Sequence, residues 1–215
     1  MGIRLNPGTH KGCPYRKSFI CRSTMKNLAN FLFEVGMLKR TPRTGFQFLG
    51  SGAESVAEHS FRTAVIGYTL AQLDGTVNPA RVMQLCLFHD IPEARTGDLN
   101  YVNKKYVQAD EGRAVRDLAA TLPFGDDYQG TIAEFTAGET PESCLAHDAD
   151  QLEMILALKE YRDLGNRNAE EWYPYSLKRL KTVVARELAE TIWVTDSSRW
   201  WFEGEGEAWW VKGKR

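Results

Sequence analysis

Apolar residues recur along this chain at three- and four-residue spacing, and the breaks between the runs carry caps, prolines and glycines. Residues 25–40, MKNLANFLFEVGMLKR, put Leu28, Phe31, Leu32, Val35 and Leu38 at helical spacing, and Pro42 and Gly45 stop the run. Residues 55–73 open on Ser55 with Glu58 three positions later, a pairing in which hydroxyl and carboxylate each satisfy a free N–H at a helix start. Residues 78–90, NPARVMQLCLFHD, open on Asn78 as cap with Pro79 in the first helical position, where its missing N–H costs nothing. The pattern predicts further helices over 103–122 and 126–137, divided by Pro123 and Gly125, another over 140–165, and a last long one over 174–194. Strand-like alternation of useful length is absent, as are repeats and low-complexity linkers. The expectation is a single all-α domain, a helical bundle.

Composition narrows the function classes. The 215 residues suit one domain with a real core. With 43% hydrophobic and 26% charged residues and a net charge of −1, nothing electrostatic points to nucleic acid or a membrane surface as a partner. No apolar run is long enough to span a bilayer, and the first 24 residues hold no apolar core of a secretory signal, so the expected compartment is the cytoplasm. Residues 1–24 read as an N-terminal arm, either disordered or preceding the true start at Met25. Cys86 and Cys144 sit in apolar helical patterns and read as buried reduced thiols, while His10, Cys13 and Cys21 lack both a recurrent zinc spacing and a fourth ligand. The tail, 196–215, holds Trp200, Trp201, Trp209 and Trp210; these either pack back on the helices or form a dimer contact or lid.

The apolar pattern breaks most sharply at FHDIPEARTGD, residues 88–98, where a core run ends on His89-Asp90 and is followed by Glu93 and Asp98. A His-Asp pair at a helix end presents an imidazole nitrogen and a carboxylate oxygen toward one point. In the helix from 140, one apolar stripe runs through Leu145, Ala149, Leu152 and Leu156, and a second through Ala146, Met154, Ala157 and Tyr161. Asp150 falls within the second stripe, where a carboxylate is costly unless it is paired with a cation from another helix or bound to a metal. Asp148 lies about 160° away, so the two acids cannot face one site, and Asp148 and His147 are expected to be the more exposed. His59 lies one turn inside its own helix. His59, His89, Asp90 and Asp150 thus form a minimal set from three helices, with Glu93 and Asp98 just beyond. Such carboxylates converging without a cation repel by roughly 4 kcal/mol per pair at about 4 Å and an effective dielectric near ~20. Imidazole and carboxylate donors suit Mn, Fe, Co, Ni or Zn without choosing among them.

The series His59 … His89-Asp90 … Asp150 resembles the H…HD…D signature of the HD-domain superfamily of metal-dependent phosphohydrolases. The segments GMLKRTPRTGF (36–46), ESVAEHSFR (54–62), HDIPEARTGD (89–98) and DQLEMILALKEY (150–161) are similar to its 5′-deoxynucleotidase branch. The resemblance implies an all-helical HD domain, placed here over residues 25–195 between the arm and the aromatic tail. It implies a phosphomonoesterase that hydrolyses (deoxy)ribonucleoside 5′-monophosphates to nucleoside and phosphate by attack of a metal-activated water. In that reading His59, His89, Asp90 and Asp150 ligate one divalent ion (Mn, Co, Fe, Ni, Zn or Mg), Glu93 handles the proton and Asp98 steers substrate or water. Arg43 would hold the phosphate, and Phe46 would stand against the sugar, near where relatives carry tryptophan. Homodimerisation is the tendency of the family.

Arg43 earns its role separately: Lys39 and Arg40 complement the dipole at the end of the first helix, but Arg43 lies beyond Pro42, where that explanation does not reach. Arg62 and Arg95 are candidate helpers, with Arg95 equally suited to pairing with Glu93 or to solvent. Two other readings are weaker. A (p)ppGpp pyrophosphohydrolase tends to carry a second acid directly after the glutamate, and Ala94 fills that place. A non-catalytic nucleotide or metal sensor has no need of Glu93 and Asp98, and both are intact.

Overall fold

The computed structural model describes residues 22–202, 204 and 206–213. Most of the expected N-terminal arm, with His10, Cys13 and Cys21, lies outside the described residues. Its α-helices are α1 (Arg22–Val35), α2 (Phe46–Leu49), α3 (Val56–Asp74), α4 (Pro79–Phe88), α5 (Glu93–Thr96) and α6 (Glu111–Ala119). They continue with α7 (Gly125–Ala137), α8 (Pro141–Asp163), α9 (Asn168–Arg179), α10 (Val183–Val194) and α11 (Glu207–Lys212). Among the described residues there is no β-strand, and the extended backbone pairs only in an isolated bridge between Pro42 and Ser55. The all-α expectation holds. None of the described helices is long and apolar enough to cross a membrane.

The helix starts follow the local chemistry of the sequence. Ser55 Oγ accepts from Glu58 N at 3.2 Å while Ser55 N donates to Glu58 Oε2 at 2.7 Å, closing the expected capping box. Asn78 Oδ1 accepts from Ala80 N at 3.0 Å, and Thr140 Oγ1 from Ser143 N at 3.1 Å, so α4 and α8 each begin on a cap followed by proline. The main core lies between α3, α4, α8 and α10, where Leu70, Val82, Leu85, Leu145, Leu152 and Ile155 are fully enclosed or nearly so. Each such side chain contributes about 1.5–3 kcal/mol by leaving water. Helices α3 and α4 approach closely at Gly67, where a Cβ would come within 2.6 Å of Cys86 Sγ. A second cluster joins Phe31, Leu38, Val56, Ile91, Leu118 and Tyr128, so the ends of the site-bearing segments rest on packed apolar side chains.

Three expected helices come out differently. The first ends at Val35 and passes into a 3₁₀ turn, Gly36–Lys39, and its expected stripe is narrower: Phe31 is buried but Leu32 faces solvent. Of residues 103–122, only 111–119 form an α-helix; 103–105 make a 3₁₀ turn, and Asp110 caps α6 through its bond from Arg113 N at 2.9 Å. The expected long helix over 174–194 is two helices, α9 starting six residues earlier at Asn168 and α10 starting at Val183. The break is made by Asp148. Its carboxylate accepts from Lys181 N at 2.7 Å, from Thr182 N at 2.8 Å and from Thr182 Oγ1 at 2.6 Å. Asp148 is therefore not the exposed residue the helical wheel suggested: it is 0% exposed, and it holds the backbone just before α10 and the hydroxyl of that helix's N-cap, Thr182. The wheel was right that it points away from Asp150. In the tail, Trp200, Trp201, Phe202 and Trp210 remain substantially exposed; Trp201, Phe202 and Trp210 pack on one another, with Phe202 stacked on Trp210 at 4.6 Å.

Replacing Asp148 by alanine leaves two backbone N–H groups and a hydroxyl without their acceptor at a buried helix start. The expected loss is about 2–3 kcal/mol, which for a domain of this size lowers Tm by roughly 2–4 °C per kcal/mol. A thermal melt followed by circular dichroism measures it, and an unchanged Tm would count against this account of the break.

Candidate metal centre

Four separated segments bring their polar side chains together. The loop carrying Arg43 is pinned to the start of α3, with Val56 N donating to Thr41 O at 2.9 Å and Arg43 N to Glu54 O at 2.8 Å. His59, in the first turns of α3, is 0% exposed. His89 continues the last turn of α4, its N–H bonded to Leu85 O, and Asp90 follows before the chain turns into α5. Asp150 comes from the middle of α8.

The distances are short. His59 Nε2 lies 3.1 Å from Asp150 Oδ1 and 3.4 Å from Asp90 Oδ2, and His89 Nε2 lies 3.1 Å from that same Asp90 oxygen. Ligand-type atoms of His59, His89 and Asp150 all fall within 4.8 Å of one another. Arg43 Nη1 stands 3.6 Å from Asp90 Oδ2. Despite this proximity, His59 Nε2, His89 Nε2 and Asp90 Oδ2 are buried and make no hydrogen bond. Buried polar atoms nearly always find partners, so three orphans facing one another mark a place that a cation would satisfy.

The opposite ring nitrogens bear on which ligand would fit there. His89 Nδ1 is 2.8 Å from the carbonyl oxygen of Cys86, and His59 Nδ1 is 2.8 Å from Glu153 Oε2. With both Nδ1 atoms donating, both Nε2 atoms present lone pairs to the common point. Two imidazole lone pairs beside carboxylate oxygens are the donor set of a divalent cation, and the residues present fit one.

The electrostatics agree. Burial disfavours charge on the His59 ring, but Asp150 and Glu153 outweigh it and push its pKa up to about 10. Burial likewise works against ionised Asp150, yet His59, His89 and Arg43 hold its carboxyl well below the usual range. Burial opposes charge on Arg43 too, and Asp90, Asp150 and Asp98 more than restore it. The cluster draws in positive charge wherever it can. A divalent ion would take the place of the proton on His59.

Glu93 begins α5 with its Oε2 buried and unpartnered; burial, then the neighbouring Asp90 and Asp98 carboxylates, push it up to about 9. Asp98 accepts from Thr44 N at 2.9 Å through Oδ2, and its own carbonyl accepts from Thr44 Oγ1 at 2.9 Å, so it ties down the loop that carries Arg43. Phe46 is a correction. It is 5% exposed, edge-on to Tyr161 at 5.5 Å and packed with Leu49 and Leu158, so its ring has almost no surface left for a sugar. The short α2 turns it inward, which loop sequence alone does not reveal. Arg95 pairs with Glu34, neither with Glu93 nor with solvent alone. His147 is half-buried, stacked on Phe135 at 4.2 Å and bonded to its carbonyl, one ring removed from His89.

Sequence reasoning missed Glu153 and Glu54. Glu153 is fully buried and holds His59 and Arg62 at once. Burial and the adjacent Glu153 carboxylate push Glu54 up to about 8. The signal for Glu153 was available: it stands three residues after Asp150 on α8, a second acid on a face meant for the core.

The HD domain family matches residues 35–193. A Bos taurus protein named 5′-deoxynucleotidase HDDC2 is 35% identical over 150 residues, spanning 66% of this chain and 71% of its own. A Vibrio cholerae serotype O1 protein named 5′-deoxynucleotidase is 31% identical over 155 residues, spanning 65% of this chain and 77% of its own. Among solved structures, a conserved hypothetical protein from Pyrococcus furiosus superposes with a TM-score of 0.65 at 30% identity, over 76% of this chain and 98% of that one. A structure titled as a predicted metal-dependent phosphohydrolase from Magnetospirillum magnetotacticum MS-1 gives 0.64 at 25% identity, over 79% and 91%.

Protein purified without chelator is expected to carry a divalent ion in elemental analysis, and His89→Ala and Asp90→Ala are expected to lose it while remaining folded. Stripping the ion from the unaltered protein lowers Tm, because the ion binds the folded chain only and leaves the carboxylates uncompensated. Full metal content in both variants would remove the site.

Proposed function

This chain belongs to the HD-domain family, and on that footing we propose that it hydrolyses deoxyribonucleoside 5′-monophosphates to nucleoside and phosphate. The observation that carries the reading is the convergence of three buried, unpartnered donor atoms, on His59, His89 and Asp90, with Asp150 and Arg43 beside them. The names borne by the bovine and Vibrio relatives supply the substrate class. His59, His89, Asp90 and Asp150 are the proposed ligands of one divalent ion, with Mn or Co the first to test. When bound, such an ion supplies a water of lowered pKa and positive charge for the phosphoryl oxygens.

The chain's own groups do the rest. Arg43, charged and only 14% exposed at its side chain, binds the phosphoryl oxygens and offsets the charge that grows on them. Asp98 and Thr44 hold the Arg43 loop against the α5 segment, so the guanidinium meets the phosphate already positioned. Glu93, whose carboxyl burial and the Asp90 and Asp98 carboxylates push up to about 9, is the proton carrier of this reading: it hands a proton to the nucleoside 5′-oxygen as the ester bond breaks and regains one from the attacking water. The reading includes a homodimer, which the exposed aromatic tail supports, and a cytoplasmic location, which a nucleotide substrate supports.

Metal-loaded protein is expected to release phosphate from a panel of deoxynucleoside monophosphates. Arg43→Ala should raise KM and lower kcat together, whereas Glu93→Gln should cut kcat by about 10²–10⁴-fold with KM little changed and metal retained. Absence of phosphate release across the panel, with several metals, would overturn the assignment.

A further inference from the structure

His59 and His89 offer equivalent Nε2 atoms, but their Nδ1 atoms have different partners. His89 Nδ1 meets a backbone carbonyl, that of Cys86, at 2.8 Å. His59 Nδ1 meets a carboxylate, Glu153 Oε2, at the same 2.8 Å, in surroundings with no exposure at either side chain. Glu153 divides its two oxygens cleanly. Oε2 goes to His59, while Oε1 accepts from Arg62 Nε at 2.9 Å and Nη2 at 2.6 Å. Arg62 continues outward to Glu160 at 2.8 Å, on the exposed end of the same helix, α8. An ordered line therefore runs from the surface to the candidate metal: Glu160, Arg62, Glu153, His59.

A buried ion pair between Glu153 and Arg62 would be satisfied without any imidazole, and a buried His59 needs only a neutral acceptor, as His89 has. A full carboxylate at Nδ1 does more than satisfy the ring. It fixes the proton on Nδ1, orients the imidazole and strengthens Nε2 as a donor. We infer that Glu153, braced by Arg62, is the positioning residue of the metal centre, setting the orientation and donor strength of His59 toward the divalent ion. The inference rests on the metal part of the proposed function and is independent of its nucleotide part.

The test measures metal affinity directly. Manganese or cobalt dissociation constants are determined by chelator competition for the unaltered protein and for Glu153→Gln, with a thermal melt of each metal-free protein. Glutamine keeps the shape but removes the charge, and its single acceptor oxygen cannot serve both His59 Nδ1 and Arg62 as the carboxylate does. The expected result is a Kd weakened about 10–100-fold in a protein that melts as one cooperative unit. A merely structural role would lower the metal-free Tm and leave Kd within twofold, and that outcome overturns the inference. Should Glu153→Gln fail to fold, Arg62→Gln, altered at a side chain 30% exposed, decides instead. A weaker Kd then supports the inference, and an unchanged one overturns it. If the protein released no phosphate from nucleotides, these dissociation constants would still stand, so failure of the substrate reading and failure of this one are told apart.

Discussion

Too many carboxyl groups surround one buried imidazole, and the rest of the molecule is arranged to tolerate that. Asp90, Asp150 and Glu153 each come within 3.4 Å of a nitrogen of His59. At an effective dielectric near 20, two such charges about 4 Å apart cost roughly 4 kcal/mol. Single-domain proteins hold only about 5–15 kcal/mol of net stability, so the cluster cannot stand uncompensated. Arg43 on one side and Arg62 on the other offset part of the charge. The remaining deficit lies where three donor atoms have no partner, which is where a divalent cation fits.

Helix α8 shows how fold and site share one set of residues. Asp148 holds the backbone and N-cap residue at the start of α10, Asp150 faces the cluster and Glu153 stands behind His59. Three acids within six positions point three ways because each residue turns the helix by about 100°. The apolar positions among and just after them, Ala149, Leu152 and Ile155, are fully buried against α3, α4 and α10. That packing fixes the rotation of the helix. A slip of one residue would carry Asp150 out of the site and Asp148 off its cap together.

What the sequence made legible follows from the range of the forces involved. Caps act within four residues, so Ser55, Asn78 and Thr140 could be read directly, and they set the helices that carry His59, His89-Asp90 and Asp150. The acid misplaced on an apolar stripe was equally local. The division of 174–194 was not, because the carboxylate that holds the junction comes from Asp148, 34 positions before Thr182 in sequence. Phe46 was misjudged for a similar reason: an aromatic in a loop near Arg43 looks available, and only its packing against Tyr161 and Leu158 removes it. Glu153 lay within reach of the wheel that found Asp150, but its meaning depends on Arg62 and His59 from another helix.

The two arginines beside the cluster are not interchangeable, and only one of them has the freedom that the anion of the proposed reaction would need. Arg62 is committed: Nε and Nη2 bond Glu153, and Nη1 bonds Glu160. Freeing it would strand a buried carboxylate, at a cost of several kcal/mol. Arg43 has one loose contact, 3.6 Å from Asp90 Oδ2, longer than a hydrogen bond. That oxygen is also one of the unpartnered donors facing the proposed ion. Once a cation shares Asp90, the pull of that carboxylate on Arg43 weakens, and the guanidinium is left with charge and no strong partner beside the place where phosphoryl oxygens would bind. In the proposed reading metal loading would thereby free Arg43 for phosphate, on a loop that Thr44 and Asp98 already tie down.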